Sequence, residues 1–574
     1  MYFLLLLIIT IPSFVSLLNP WYFSMHDFQH IARLFLLDQG VHQGYLFPRW
    51  VDLLGFHFGY PLFNFYPPLI YYISELFRLV GFSYIWSIKS MVISGYLLGA
   101  VGMYKLSYKV TSSKVASLVA ATLFTFFTYH AVLVYVRGAF AEFFGMNILP
   151  FAFLSLELLK DKPTVRHAVF FGTTLALLIL SHVFVAFPFI LFFAVYVLFS
   201  MLYVSKKLKY LAHIALGGLL GAGLSAFFWL PSMLERKFTL VNAILTKELA
   251  SYSIHFVQPA QLWFSQWGYG GSGAGLADGM SFQLGKIHIN LAVLSFLLFI
   301  FLAFKKKLDT LYATRYTLYA AMLLLSLFMT TEYSRFIWNA VSPLQYLQFP
   351  WRFLSFTGVF IAIVGGYVVA LLSHAFKGVG QKKWVELTVS FVIICTVIFQ
   401  YSKYFKPDSY VYKTDKDLTS SQEISWNVSA SSFEFSPKGV PLTKSKYRTS
   451  IFDIDEKQVS SIKYQVSKKD AAVIQAIGLF NEKVFKIESS EAFVFQLNTF
   501  NFPGWTAYID GGRLPISDDN RYKLITVPVP AGIHNLEFRF EDTPIRRLAN
   551  TISLVGLVGT ILLLGVSKFK KGKA

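Results

Sequence analysis

The chain has 574 residues, 55% of them hydrophobic, 18% aromatic and only 14% charged, with a formal net charge of +20. A soluble domain carries about a quarter charged residues, so this chain has roughly half the usual water-facing chemistry. The +20 then asks whether the charge marks a nucleic-acid surface, which needs base-reading or stacking groups on a solvated face, or one side of a bilayer. The single cysteine, Cys395, lies in the apolar run 391–398 and excludes a disulfide framework and a cysteine-based metal cluster.

In chain order, the first apolar run is Tyr2–Leu18, which has neither a basic leader nor a small-x-small cleavage site and is read as a retained helix. Further runs fall near Tyr84–Tyr104, Val115–Tyr135, Ala139–Leu159, Ala168–His182, Val183–Tyr203, Tyr210–Leu230 and Ile289–Phe304, then Leu318–Thr330, Phe353–His374, Val385–Tyr401 and Ile552–Val566. That makes about 12 transmembrane helices, each near the length that crosses hydrocarbon. Pro68–Gly81 is apolar but short and carries Glu75 and Arg78. Spanning with both charges is costly, so it is placed flat at the interface, with Tyr71, Tyr72, Leu76 and Leu79 towards lipid.

With the N-terminus inside, the cytoplasmic pieces are 105–114, 160–166, 205–209, 305–315, 377–383 and 567–574. Together they hold 20 Lys and Arg against Asp161 and Asp309, which is +18 of the +20. The charge is therefore an orientation record that predicts both termini in the cytoplasm and implies no nucleic-acid partner; the expected location is a cell (plasma) membrane.

The external pieces are the loops 19–83, 231–288 and 331–352 of a transmembrane domain spanning 1–401. A polar block, 402–547, precedes the last helix and basic tail, 548–574. The polar block reads as an extracytoplasmic β-sandwich-like domain. Ala492–Phe500 alternates around Phe493, Phe495 and Leu497, and His534, Leu536, Phe538 and Phe540 share one strand face. Asp510-Gly511-Gly512 and Pro530-Ala531-Gly532 supply turns. The glycines of 268–275 lack a following Lys-Ser/Thr and a preceding strand, which makes a flexible or substrate-covering loop rather than a phosphate loop.

The residues that carry chemistry gather at the external surface. Met25-His26-Asp27-Phe28-Gln29-His30 follows the first helix, and Asp27 and His30 are spaced to share a helix face. Asp27 is either a general base or metal ligand at the mouth of a cavity, or a helix-start acid bonding local N–H groups. Glu142, in Arg137-Gly138-Ala139-Phe140-Ala141-Glu142, starts an otherwise uncharged helix. It is either a second acid at the same depth or a dipole-favoured acid paired with Arg137. Arg352 begins a later helix among aromatics, as a phosphate ligand or a snorkelling anchor. His182 sits at a helix junction, where a polar cap is the simpler role, and Lys89 snorkels outwards.

An acid just after the first helix and another at the turn between the third and fourth resemble the GT-C superfamily of polytopic glycosyltransferases. More closely, His26–His30, Gly59–Pro68, Arg137–Glu142, Met280–Gly285 and Pro350–Phe353 resemble a family of bacterial membrane proteins labelled "6-pyruvoyl-tetrahydropterin synthase-related". The end of the chain, with Phe502-Pro503-Gly504-Trp505 and Pro530–His534, is similar to that family and to YfhO-like membrane proteins. Nothing in the sequence supplies the three-histidine zinc site of a soluble pterin synthase. The GT-C resemblance implies sugar transfer from a polyprenyl-phosphate donor to an external glycan or protein acceptor. It implies Asp27 as base, Glu142 as its partner or a metal ligand, and Arg137 or Arg352 on the donor phosphate. His26, His30 and His182 join them as candidate binding residues, with a divalent cation as the possible cofactor. Many GT-C members show paired acids in the first loop, whereas here Asp27 stands alone beside His26. The alternative is a non-catalytic transporter, flippase-like binder or assembly protein for envelope glycans. A transporter places its ionisable groups near mid-membrane, and these crowd one edge.

Overall fold

The computed structural model describes residues 2–244, 250–276, 278–375, 382–444, 450–454, 464–467 and 471–569. Each of the twelve apolar runs lies on helix. Among the described residues, eight helices are long and apolar enough to cross a membrane: Tyr84–Thr111, Phe140–Asp161, Val183–Ser200, Lys286–Phe304, Thr310–Thr330, Pro350–Ala375, Trp384–Tyr404 and Pro544–Val566. Two more candidates are bent pairs, Lys114–Thr125 with Thr128–Val136 at 42° and Lys207–Leu224 with Ala226–Phe238 at 70°. Tyr2–Ser13 and Val165–Ser181 are shorter apolar helices.

Pro350–Ala375 is wholly enclosed and Phe140–Asp161 nearly so, while Pro544–Val566, Trp384–Tyr404 and Lys286–Phe304 present mostly exposed apolar surface. A helix that is apolar on its exposed side is stable against hydrocarbon and costly against water, so the first two form the bundle's centre and the others its lipid wall. Val165–Ser181 and Lys207–Leu224 cross closely because a Cβ at Gly172 would sit 2.8 Å from the Gly217 carbonyl oxygen.

Pro68–Gly81 forms the helix Leu69–Leu79. Leu76 and Leu79 are exposed as expected, but Tyr71 is fully buried, because its hydroxyl bonds the His30 ring at 3.0 Å. Lys89 also departs from expectation. It is buried, and its Nζ donates to the carbonyls of Asn19 and Trp21 at 2.5 Å each, satisfying the charge inside the protein.

The polar block begins with short helices, among them Asp415–Leu418, whose Thr414/Asp417 capping box starts it. Its main strands follow. A five-stranded antiparallel sheet runs in the order 512–514, 505–509, 532–540, 482–489, 472–478, and a three-stranded one in the order 524–529, 493–500, 464–466. The alternation read around Phe495 and Phe538 aims both at the space between the sheets, where their rings lie 5.9 Å apart and Phe485 meets Phe495 at 5.1 Å.

The first long loop is the platform for this β region. Trp50 packs on Trp505 and Phe540, Phe500 N–H donates to the Phe58 carbonyl at 2.7 Å, and Lys483 pairs with Asp52 at 2.8 Å. Beneath it, Arg546 at the start of the last helix pairs with Glu235 at 2.8 Å, both buried. The helix Ala226–Glu235 and the C-terminal helix are thereby fixed to each other at the level of the site.

Candidate functional site

The segment after the first helix is pinned by its backbone. Tyr22–Phe23 pairs antiparallel with Tyr410–Val411. The N–H groups of His26 and Asp27 donate to the carbonyls of Val136 (3.1 Å) and Arg137 (2.8 Å). This approach needs Gly138, which has φ +65° and where a Cβ would fall 2.4 Å from Met25 Sδ. Val132–Val136 is a π-helical turn, a local unwinding that re-aims the residues after it. It delivers Arg137 and Gly138 to the loop.

A cavity of about 490 Å³ opens here. It is lined by Asp27, Arg137, Glu142, His182 and Arg352, so five of the seven residues singled out in the sequence share one space. The other two lie outside its lining. His26 Nε2 is 3.0 Å from the carbonyl of Tyr269, on the glycine-rich loop. His30 is buried with Nδ1 3.0 Å from Tyr71 Oη and Nε2 2.6 Å from the Gly138 carbonyl. A carbonyl only accepts, so Nε2 carries the proton and Nδ1 accepts from Tyr71. Burial and the neighbouring Arg33 push the His30 pKa down to about 3, which keeps the ring neutral. It braces the Gly138 turn.

Glu142 is fully buried in the first turn of Phe140–Asp161. Its Oε1 accepts from the Tyr129 hydroxyl at 2.6 Å, and its Oε2 accepts from Arg137 Nη1 at 2.8 Å and Arg352 Nε at 3.3 Å. Each guanidinium also lies over rings: Arg137 4.4 Å from Trp351, Arg352 4.5 Å from Phe184 and 4.9 Å from Phe349. Arg352 is thus no snorkelling anchor. Glu142 holds two cations in place, and its own oxygens are already occupied.

Asp27 stands in the opposite state. Its carboxylate is partly exposed to the cavity, with no hydrogen bond or ion pair among the described residues. Its charge still reaches Arg137 and Tyr66.

The cavity also holds residues that the sequence did not single out, chiefly Arg33, Arg236, Tyr66 and Glu434. Arg33 lies 3.9 Å over the Tyr66 ring and donates through Nη2 to Ser432 Oγ at 2.9 Å, while Nε and Nη1 are buried with no hydrogen-bond partner within bonding geometry among the described residues. Burial raises the Glu434 carboxyl above its usual range, with Arg33 pulling it back. A lone arginine one turn after His30 on an apolar helix was a usable signal for Arg33. Glu434 had none, because it reaches the cavity from four hundred residues away. With four arginines against three acids, the lining favours an anionic ligand. Val183 and Met233 expose apolar surface at its edge.

Among the described residues no group of three or more His, Cys, Asp or Glu is placed to hold a metal. With Glu142 taken by Tyr129 and two arginines, the lining does not present a cation-binding donor set around Asp27.

A family model described as "6-pyruvoyl-tetrahydropterin synthase related domain; membrane protein" matches residues 63–407. No curated protein matches the chain. Among solved structures, the Archaeoglobus fulgidus oligosaccharyltransferase in its apo form aligns at TM-score 0.43 and 11% identity, over 72% of this chain and 56% of that one. The arabinofuranosyltransferase AftD from Mycobacteria aligns at TM-score 0.45 and 10% identity, over 71% and 27%. ArnT from Cupriavidus metallidurans bound to undecaprenyl phosphate aligns at TM-score 0.33 and 13% identity, over 70% and 89%. The chain thus spans about half the length of the oligosaccharyltransferase it matches.

Proposed function

The chain belongs to the membrane-protein family described as 6-pyruvoyl-tetrahydropterin synthase related, and from that premise and the cavity we propose an integral-membrane glycosyltransferase of GT-C type. It transfers a sugar from a polyprenyl-phosphate-linked donor to an extracytoplasmic glycan or protein acceptor. The observation that carries this reading is the division of labour between two acids in one cavity. Asp27 is uncommitted, and Glu142 holds Arg137 and Arg352.

The chemistry follows from that division. The donor phosphate sits against Arg137 and Arg352, whose planar guanidiniums suit phosphate oxygens, and its isoprenoid chain leaves past Val183 and Met233 into lipid. The acceptor hydroxyl points at Asp27. As its oxygen bonds to the anomeric carbon, Asp27 takes the proton, and the carbon–oxygen bond to phosphate breaks with its electron pair leaving on the lipid phosphate. The two guanidiniums stabilise that departing charge in a water-poor pocket, where such interactions are strongest. Glu142 is a positioning residue, and Glu434 and Arg33 offer hydrogen bonds to sugar or acceptor. No step is routed through a metal. On this reading the cavity lies outside the cytoplasm with the β region above it, an orientation supported by the Lys and Arg of the six segments read as cytoplasmic.

Purified protein in proteoliposomes carrying a radiolabelled polyprenyl-phosphate sugar tests the reading. Label appearing in added acceptor, and released lipid phosphate in equal amount, supports it. A protein that binds the donor and never transfers label is a carrier or assembly protein, and the enzymatic reading fails.

A further inference from the structure

Phe140–Asp161 has a cavity at each end. Glu142 in its first turn belongs to the site above, and Lys160 and Asp161 in its last turn line a second space of about 430 Å³. Eighteen positions separate Glu142 from Lys160, so the two cavities are ~27 Å apart along the helix, close to a hydrocarbon thickness.

The second cavity is basic. Four lysines line it (160, 162, 206 and 209), and Asp161 is the only acid among its lining residues. Asp161 is already neutralised by Lys109 at 2.6 Å and Arg315 at 2.9 Å. Lys160 is held by Glu157 at 2.8 Å. That leaves Lys162, Lys206 and Lys209 converging on one space without an ion-pair partner among the described residues. Like charges gathered around a cavity repel, and an anion between them removes that cost. Two helices, Val165–Ser181 and Lys207–Leu224, also begin beside it, and their first N–H groups favour the same charge. The neighbouring surface is exposed and apolar, at Leu202, Leu208 and Leu311, so the lysines stand where hydrocarbon gives way to headgroups.

We propose that this second cavity binds a phosphate-bearing anion, held by Lys162, Lys206 and Lys209. A phospholipid headgroup and soluble phosphate share that chemistry, and the experiment separates them. The full-length protein in a neutral detergent is titrated with short-chain phosphatidylglycerol, short-chain phosphatidylcholine and inorganic phosphate. Parallel titrations use the triple variant Lys162→Gln, Lys206→Gln, Lys209→Gln. A control variant, Lys305→Gln, Lys306→Gln, Lys307→Gln, removes the same charge from another lysine-rich loop. The expected result is binding of phosphatidylglycerol about tenfold tighter than phosphatidylcholine, weakened about tenfold in the first variant and kept in the control. The same pattern with inorganic phosphate supports the site and identifies the ligand as soluble. Equal weakening in the control, or unchanged binding in the first variant, overturns the proposal, as does absence of binding by both phosphatidylglycerol and phosphate. All six lysines are exposed, so the variants fold.

Discussion

Arg352 Nε lies 3.3 Å from Oε2 of Glu142, a residue 210 positions earlier in the chain. That contact ties the start of the enclosed helix Pro350–Ala375 to the start of Phe140–Asp161, and it fixes one side of the proposed donor site. Because Arg137 reaches the same oxygen at 2.8 Å, a single carboxylate balances two buried guanidiniums.

Replacing Glu142 by Gln leaves both cations buried without their counter-charge. Breaking a buried pair costs about 3–5 kcal/mol, so Glu142→Gln should lower the thermal midpoint in nanodiscs and weaken donor binding together. An unchanged midpoint would show that the arginines find other partners.

Gly138→Ala should disturb Asp27 without removing any charged group. The substitution places a Cβ at φ +65° and against Met25, at a cost of about 1–3 kcal/mol. The predicted readout is faster hydrogen exchange at the Asp27 amide, whose bond to the Arg137 carbonyl depends on that approach. Transfer should fall while exchange in the β region stays as in the wild type.

Glu75 carries a pH dependence of its own. Burial, then the adjacent Asp38, push its carboxyl up to about 7, with Arg78 and His42 acting the other way. A raised folded-state pKa means that the folded chain holds the proton longer than the unfolded one. Its contribution is complete below about 4.5 and is lost as pH rises through about 7. Glu75→Gln should therefore raise stability at pH 8 by roughly 1–2 kcal/mol and change little at pH 4. Thermal midpoints of both proteins at the two pH values check this.

Arg546→Met should detach the C-terminal helix from Ala226–Glu235, since it strips a buried guanidinium from Glu235. The cost is about 3–5 kcal/mol. Limited proteolysis should then cut near 541–547 faster than in the wild type, and an unchanged cleavage rate would place the anchorage elsewhere.

Much of this arrangement was legible in the sequence, for identifiable reasons. Helices were readable because apolar runs need few other signals, and Asp27, Arg137, Glu142 and Arg352 stood out as charges at the ends of such runs. The alternation around Phe495 and Phe538 marked inward faces of two sheets. Tyr71 and Lys89 were misplaced because sequence position gives the depth of a side chain but not which neighbour satisfies it. Which acid is free and which is clamped was also out of reach. Asp27 and Glu142 look alike as residue types, and only the convergence of Tyr129, Arg137 and Arg352 separates them. Glu434 enters the cavity by tertiary packing alone.

With Asp27 as the base and the arginines on the donor, the decisive variant is Asp27→Asn, measured for both transfer and donor binding in proteoliposomes. Transfer should fall at least about 100-fold, with donor affinity within about threefold of the wild type because the Glu142 clamp is untouched. Transfer at the wild-type rate by a well-folded Asp27→Asn protein would contradict Asp27 as the base.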